Sequence, residues 1–285
     1  MIGFTKRNLK VFFKDKTSVF FSLLSVFIII GLYMLFLGDV WVSSFDGLEG
    51  VRYLMDSWII AGLLTVTSVT TAMGAFGIMV EDRTKKINKD FISSPIKSSS
   101  LMGGYLLAAV IIGVIMSIVA LILSEIYLVA KGGQLLSPLK MLQVLGLIVL
   151  GTVTNVSIVF FVVSFFQSAN AFATASTIIG TLIGFITGIY LPIGQLPDSV
   201  QTVIKCFPVS HAGAMFRQVM MEEPLAVTFR GAPPEVVAEF KQLMGVVYQF
   251  GDTEVPPALS IAILVVTAIV FYGLSILNIS RKKRG

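Results

Sequence analysis

The chain has 285 residues, of which 55% are apolar and 13% charged, and its mean hydropathy is +0.90. Because a soluble domain carries about 25% charged residues, this composition excludes a soluble enzyme. The single Cys206 and the single His211 exclude a disulfide within the chain and a metal site built from cysteines or histidines. The formal net charge of +5 does not indicate nucleic-acid binding, since the basic residues flank apolar segments, where anionic lipid explains them.

Five segments without any charged residue are long enough to cross a membrane, because a transmembrane helix needs about 20 apolar residues. The longest, residues 141–197, contains two spans, since the polar residues 167–170 divide it. The predicted fold is an all-α polytopic membrane protein with six transmembrane helices in a single domain, residues 1–285. The predicted spans are residues 18–38, 57–80, 101–128, 139–166, 171–191 and 257–279.

The positions of the basic residues predict which side of the membrane each loop faces. Fourteen of the 21 lysines and arginines lie in residues 1–16, in the loop 81–100 and after residue 280, and these segments carry only four acidic residues. Cytoplasmic loops carry an excess of lysine and arginine, so we expect both termini in the cytoplasm. We expect a multi-pass protein of the plasma membrane, in a bacterial cell.

Residues 1–16 precede the first span and have an amphipathic helical pattern. Ile2, Leu9, Phe12 and Phe13 alternate with basic residues, which is typical of a helix that lies in the membrane interface. The alternative is a basic flank with incidental apolar residues.

The cytoplasmic loop 81–100 contains a short predicted helix, residues 84–92. Ile87 and Phe91 lie four residues apart and share one face of this helix. Pro95 ends it, because the residue before a proline avoids the helical region. A short charged helix with an apolar stripe is either a docking surface for a cytosolic partner or an ordinary solvated turn.

Residues 192–221 are predicted to form an outer hairpin of two short helices, with Asp198 and Ser210 as their N-caps. The helices are too apolar for a free loop and too short to cross the membrane, which indicates a re-entrant or interfacial hairpin. Lys205 and Arg217 are expected to reach the outer surface. The hairpin residues of interest are Pro192, Pro197, Pro208, His211 and Arg217. We expect His211 to cap or pack within the hairpin.

Hydroxyl side chains in the second and fifth spans are candidates for lining a transport pathway, although such groups often bond their own helix backbone. These candidates are Thr67, Thr70, Thr71, Thr174, Thr177 and Thr181. Gly180, Gly184 and Gly188 recur every four residues in the fifth span, which favours close helix packing over a flexible hinge.

Glu125 is an ionisable residue within the third predicted span. Charge inside a membrane is costly and is a functional candidate by default. Glu125 lies near the outer end of its span, so it is either a proton or substrate site or an interfacial residue that reaches water or Lys131.

Two stretches resemble the permeases of type-2 ABC exporters. Residues 80–104 have an acidic pair at the end of the second span, a short helix, a Ser-Pro step and a glycine pair that opens the third span. Residues 191–217 have two leucine-proline pairs, a proline before a small polar residue and then an arginine. The predicted extracellular loop 222–256 is longer than the short connection usual in that family. With the N-terminal helix, the six spans and the length, the resemblance covers nearly the whole chain.

In that family a permease dimerises, or pairs with a sister permease, and binds two cytosolic ATPase subunits. The resemblance implies a permease subunit of an ATP-driven exporter, in which residues 84–92 are a coupling helix seated on the ATPase and residues 1–16 touch the same partner. The implied ATPase-coupling residues are Glu81, Asp82, Arg83, Lys85, Lys86, Ile87, Asp90, Phe91 and Pro95. The chain has no Gly-x4-Gly-Lys-Ser/Thr phosphate loop. We therefore expect ATP and Mg on the partner ATPase, no cofactor on this chain and no enzymatic activity of its own.

A neutral pathway favours an amphipathic or apolar substrate, such as a drug, a lipid, a peptide or a lipid-linked polymer. One alternative is a self-sufficient secondary transporter, which usually shows two repeats and broken helices at the midplane. A membrane-bound enzyme is the other alternative, and it would need a catalytic constellation that one histidine, one cysteine and one intramembrane glutamate do not provide.

Overall fold

The computed structural model describes residues 1–33, 43, 48–87, 90–91, 96–251 and 253–281. These residues form a bundle of helices with one small β-hairpin, so the predicted all-α class is confirmed apart from that hairpin. The elements in chain order are α1 (Ile2–Lys14), α2 (Lys16–Leu32), α3 (Val51–Thr84), α4 (Ser98–Ala130), α5 (Pro138–Val163), α6 (Ala169–Ile186), a 3-10 turn (Ile193–Gln195), α7 (Asp198–Cys206), α8 (Pro208–Met220), α9 (Glu222–Thr228), α10 (Pro234–Leu243), β1 (Gln249–Phe250), β2 (Thr253–Glu254) and α11 (Pro257–Arg281).

Among the described residues, five helices are long and apolar enough to cross a membrane: α3, α4, α5, α6 and α11. The chain is therefore a multi-pass membrane protein. Helix α2 is apolar over its 17 residues, and the rest of the predicted first span, residues 34–38, lies outside the described residues.

Helix α3 is the centre of the bundle and contacts α2, α4, α5, α6 and α8. It begins after Gly50, whose positive φ of 74° ends the preceding turn, and it runs for 34 residues without a proline. At about 1.5 Å per residue it is roughly 50 Å long, which exceeds the ~30 Å hydrocarbon core. The helix therefore extends beyond the predicted span 57–80 at both ends, and Asp56 and Asp82 belong to the helix rather than to loops.

Helix α6 is the least buried of the five, since only Ile183 and Gly184 are enclosed by the rest of the chain. It begins where the polar residues 167–170 predicted a break, and Ser168 caps it by accepting a hydrogen bond from the Ala171 amide at 3.2 Å. Its end at Ile186 comes five residues before the predicted end of the span, because Gly188 turns the chain with φ 66°.

The three glycines of the fifth span do not form one packing face within this chain, so that prediction is wrong here. Gly188 lies beyond the helix end, where it supplies a positive φ. A Cβ at Gly184 would lie 2.1 Å from the Tyr190 ring, so this glycine admits the segment that follows it. Gly180 has open space at its Cβ position and contacts no neighbouring helix there.

The predicted hairpin of two short helices is present as α7 and α8, but its capping differs from the prediction. Pro208 is the first residue of α8, a position that suits its fixed φ and missing N–H. Ser210 is therefore not an N-cap, and its hydroxyl instead lies 2.6 Å from the carbonyl oxygens of both Ile204 and Phe207. The Asp198 side chain likewise makes no capping hydrogen bond.

The described residues of the predicted loop 222–256 contain regular secondary structure. They form α9, α10 and the hairpin of β1 and β2, in which Gln249 pairs with Glu254 and Phe250 with Thr253. Phe240, Met244 and Tyr248 are buried against the bundle. The segment therefore packs on α3 and α8 as part of the folded core.

Candidate functional site

A buried ion pair joins the N-terminal helix α1 to the end of α3. Arg7 Nη1 and Nη2 donate to the two carboxylate oxygens of Asp82 at 2.5 and 2.7 Å, a bidentate arrangement. The hydroxyl of Tyr105, on α4, donates to the same carboxylate at 2.6 Å. The Asp82 side chain is 4% exposed and that of Arg7 31%. The hydrogen bond to Asp82 raises the pKa of the Arg7 guanidinium, so the pair stays ionised and holds three helices together.

Aromatic rings surround this ion pair. The Phe4 ring centre lies 5.0 Å from that of Phe91 and 4.9 Å from that of Tyr105, both edge to face. The Arg7 guanidinium carbon lies 5.4 Å from the centre of the Phe91 ring. A Cβ at Gly104 would lie 2.7 Å from Phe4 Cδ1, so a glycine at this position admits the ring. We call Phe4, Arg7, Asp82, Phe91 and Tyr105 the Arg7 cluster.

Helix α1 has the predicted extent but packs on protein rather than on lipid alone. It buries Thr5, Asn8 and Phe12 against the bundle, while Ile2 and Phe13 stay exposed. Because the buried face includes two polar residues, it differs from the predicted apolar stripe.

The predicted coupling helix, residues 84–92, has a different start. Helix α3 ends at Thr84, and a turn at Lys85 and Lys86 follows, with Lys86 at φ 62°. Ile87 and Phe91 are helical and half-buried, and Asp90 between them is exposed. Residues 88–89 and 92–95, with Pro95, lie outside the described residues. We call the described residues of this predicted helix, Ile87, Asp90 and Phe91, the coupling segment, after the role that the resemblance implies.

The charged residues at the end of α3 differ in whether they contact other helices or solvent. Glu81 is exposed and pairs with Lys85 at 2.5 Å, one helical turn away. Arg83 donates to the carbonyl oxygens of Val163 and Phe166 at 3.4 and 3.3 Å, which places its charge at the C-terminal end of α5. Asp82 and Arg83 therefore hold helices together, whereas Glu81 and Lys85 are accessible to a partner.

A groove of about 570 Å³ lies between α2, α3 and α6. Thr70 and Thr177, two of the predicted pathway residues, line it together with Ser22, Met73 and Phe172. Its mixture of hydroxyl groups and apolar side chains suits an amphipathic molecule.

The other predicted pathway threonines do not line this groove. Thr67 and Thr71 are buried inside the bundle, and Thr67 donates to its own helix at Leu63. Thr174 and Thr181 are exposed on α6 and donate to the carbonyl oxygens of Asn170 and Thr177. The hydroxyl groups of Thr67, Thr174 and Thr181 thus bond the helix backbone, whereas that of Thr71 has no hydrogen-bond partner among the described residues.

At the opposite end of the bundle, Arg217 is 0% exposed. Its Nη2 donates to the carbonyl oxygens of Thr187 and Gly188 at 2.7 and 3.2 Å, and its Nη1 to that of Gly245 at 3.4 Å. The guanidinium lies 5.1 Å from the centre of the Trp58 ring. Burial lowers the pKa of Arg217 to about 10, so the side chain is still charged at neutral pH. The expectation that Arg217 reaches the surface is wrong, because helix-end carbonyls and an aromatic ring replace its water.

His211 packs within the hairpin, as predicted. Its Nε2 lies 2.9 Å from the Lys205 carbonyl oxygen, which only accepts, so Nε2 carries the proton. Its Nδ1 lies 3.0 Å from the Ser260 hydroxyl and therefore accepts from it. Burial lowers the pKa of His211, and the neutral ring joins α8 to α11.

A family model described as an ABC-2 family transporter protein matches residues 40–277, which is more than half of the chain. The chain belongs to this family. No curated relative matches it at a significant level. The protein is thus a membrane permease subunit of an ABC transporter, and permeases of this family generally pair with an ABC ATPase.

In this ABC-2 permease, Glu125 is buried on α4 and does not pair with Lys131. Its Oε2 accepts a hydrogen bond from the Leu136 amide at 3.2 Å, and its Oε1 has no hydrogen-bond partner among the described residues. Glu125 is therefore held by the connection between α4 and α5 rather than by a cation.

Three residues that make buried polar or cation–π contacts in the permease could not be singled out from the sequence. Arg7 and Tyr105 were assigned only to a basic flank and to an apolar span, and Trp58 was not singled out. A tryptophan in the first turns of a span was the one available signal, since its N–H needs a partner. That N–H donates to the Met244 carbonyl oxygen at 2.8 Å.

Proposed function

We propose that this permease is the membrane subunit of an ATP-driven exporter, with α1 and the coupling segment forming its contact with a separate cytosolic ATPase. The observation that carries the proposal is the Arg7 cluster, which ties the coupling segment to α1, α3 and α4 through Phe91. A displacement of the coupling segment by a partner moves these helices together, because one ion pair and three rings connect them.

The surface beside the Arg7 cluster suits a protein partner. Helix α1 has exposed apolar and basic side chains, and the end of α3, which the Arg7–Asp82 pair joins to α1, has the exposed pair of Glu81 and Lys85. Interfaces combine an apolar core with a polar rim of this kind. The exposed residues of α1 are Ile2, Gly3, Lys6, Lys10, Val11, Phe13 and Lys14.

The proposed topology has α2 as the first of six spans, with the α1 end of the bundle in the cytoplasm and the α7–α8 hairpin outside. The groove between α2, α3 and α6 is the proposed substrate site. Its lining favours an amphipathic or apolar substrate. Helix α6 exposes Ile178, Leu182 and Phe185, and a second permease, either an identical copy or a sister chain, would cover this face and complete the pathway. Two ATPase subunits would then serve the pair.

The coupling contact is tested by Ile87→Asp and Phe91→Ala. We expect each variant to recover at least about tenfold less of a co-expressed ABC ATPase on affinity purification. Ile87→Asp places a charge in the contact, and Phe91→Ala removes the ring that holds the coupling segment on the Arg7 cluster. Val236→Asp is the matched control, since Val236 is an exposed apolar residue on α10 at the other end of the bundle. Unchanged ATPase recovery for both variants, with normal membrane insertion, would contradict the proposal.

The proposed side of the hairpin is tested by thiol labelling in intact cells. Ser199 and Val203 lie on exposed positions of α7, so after Cys206→Ser a cysteine at either position should react with a membrane-impermeant maleimide. Cysteine at exposed Lys10, on α1, is the control and should react only after the membrane is opened. Labelling of positions 199 and 203 only from the cytoplasmic side would refute both the hairpin location and the six-span topology.

A further inference from the structure

A second groove, of about 700 Å³, lies between α4 and α5 and shares no helix with the proposed substrate groove. Its walls are almost entirely aliphatic, from Ile122 and Ile126 on α4 to Met141 and Leu145 on α5. Ile122 and Ile126 are also exposed on the bundle surface. Because α4 and α5 both cross the membrane, this groove opens toward lipid. Its volume lies in the range of about 300–1,000 Å³ found for small-molecule sites.

One polar side chain lines this apolar groove, and it is Glu125. Glu125 is 5% exposed. The Leu136 amide fixes one of its oxygens, whereas the other has no hydrogen-bond partner among the described residues. A buried carboxylate without a partner is costly inside a membrane. A ligand that brings a cationic hydrogen-bond donor therefore gains a charge-assisted bond that the chain itself does not supply.

The depth of Glu125 indicates which donor can reach it. Glu125 lies five residues before the end of α4 at Ala130, or about 7.5 Å along the helix axis. The headgroup region extends about 5–7 Å beyond the hydrocarbon core on each side. Helix α4 has 33 residues and is about 50 Å long, so centring it in the membrane places the carboxylate about 17 Å from the midplane. The boundary between headgroups and acyl chains lies at about 15 Å, and the aliphatic walls lie deeper in the membrane.

We propose that this groove binds a phospholipid with a primary amine headgroup. Oε1 is buried in this structure, so in the bound state the Glu125 side chain turns toward the groove that it lines, and the ammonium group donates to Oε1. One acyl chain then lies between α4 and α5 along Ile122 and Met141. A quaternary ammonium headgroup has no N–H and cannot make this bond, so the site distinguishes the two headgroups. The proposal concerns the membrane lipid rather than a transported amphiphile, because the groove has no lining residue in common with the groove between α2, α3 and α6.

The test is lipid retention by the purified full-length permease. The protein is reconstituted in an equimolar mixture of phosphatidylethanolamine and phosphatidylcholine with identical acyl chains, re-extracted in detergent, and its bound lipid measured by native mass spectrometry. We expect about tenfold enrichment of phosphatidylethanolamine, which corresponds to one charge-assisted hydrogen bond. Equal retention of the two lipids would overturn the proposal.

Two variants test the contributions of the carboxylate and of the groove to lipid binding separately. Glu125→Gln removes the charge at nearly constant shape and should abolish the enrichment, whereas the control Glu235→Gln, on exposed α10, should keep it. Ile122→Trp fills the groove from an exposed position, leaves Glu125 in place and should also abolish the enrichment. Enrichment that persists in both groove variants would overturn the proposal. Binding of dodecylamine without enrichment of phosphatidylethanolamine would overturn the assignment to a membrane lipid.

Discussion

Replacing Asp82 by alanine should release α1 from the bundle. The variant leaves Arg7 and the Tyr105 hydroxyl without their shared acceptor. Breaking a fully buried ion pair costs about 3–5 kcal/mol, and since the Arg7 side chain is 31% exposed, we expect about 2 kcal/mol here. Local opening of α1 should then be more than tenfold more frequent. Amide hydrogen exchange of residues 2–14 measures this directly. The exchange rate of the Asp82→Asn variant should lie between those of the wild type and of Asp82→Ala, because asparagine keeps one acceptor oxygen.

The neighbouring acid is the matched control for this prediction. Glu81 also pairs with a basic residue, but both side chains of the Glu81–Lys85 pair are more than half exposed. Exposed pairs of this kind contribute about 0–1 kcal/mol, so Glu81→Ala should leave exchange in α1 unchanged. If both variants accelerate exchange equally, or neither does, the ion pair does not hold α1 in place.

Most of the architecture could be predicted from hydropathy and charge. The break at residues 167–170, the amphipathic helix α1 and the two short helices after the fifth span are local signals, and the structure has all three elements. The ends of α3 were not predictable in the same way. Charged residues such as Asp56 and Asp82 were placed in loops, yet the helix passes through them because no glycine or proline interrupts it there.

The candidate site was predicted only where its residues are close in sequence. The acidic pair at the end of α3 and the apolar pair Ile87 and Phe91 could be found from position and spacing. The partner of Asp82 could not, since Arg7 lies 75 residues away and competes with many other basic residues in the same flank. Partner choice depends on how α1 packs on α4, and glycine at position 104 admits that packing.

The burial of Arg217 is the clearest case in which a general rule for the sequence gives the wrong prediction. The charge of an arginine predicts exposure, but two chain turns create a binding site for it. Gly188 and Gly245 both have a φ of 66° and follow the ends of α6 and α10, where backbone carbonyls lack helical partners. The C-terminal ends of two helices favour a cation, and the Trp58 ring covers it. None of these groups is close to Arg217 in sequence.

Replacing Arg217 should therefore give the largest loss of stability among single substitutions of basic residues at this end of the bundle. Arg217→Met keeps most of the volume but leaves the carbonyl oxygens of Thr187, Gly188 and Gly245 without their donor. Hydrogen bonds to charged groups contribute about 1.5–3 kcal/mol, so we expect a loss of about 3 kcal/mol and a fall in Tm of roughly 10 °C. Thermal unfolding of the detergent-purified permease, followed by size-exclusion chromatography, measures this.

Two further variants test whether stability requires the shape of the guanidinium group or only its positive charge. Arg217→Lys keeps a cation, but a single ammonium group cannot reach carbonyl oxygens in two directions as the planar fork does, so it should recover only part of the lost stability. Arg230→Met is the control, because Arg230 is exposed on the same side of the bundle and surface substitutions stay within about 0.5 kcal/mol. Equal Tm values for the Arg217→Met and Arg230→Met variants would show that the buried cation does not stabilise this end. Full recovery by lysine would show that charge alone is required, and that the fork geometry at Thr187 and Gly245 is incidental.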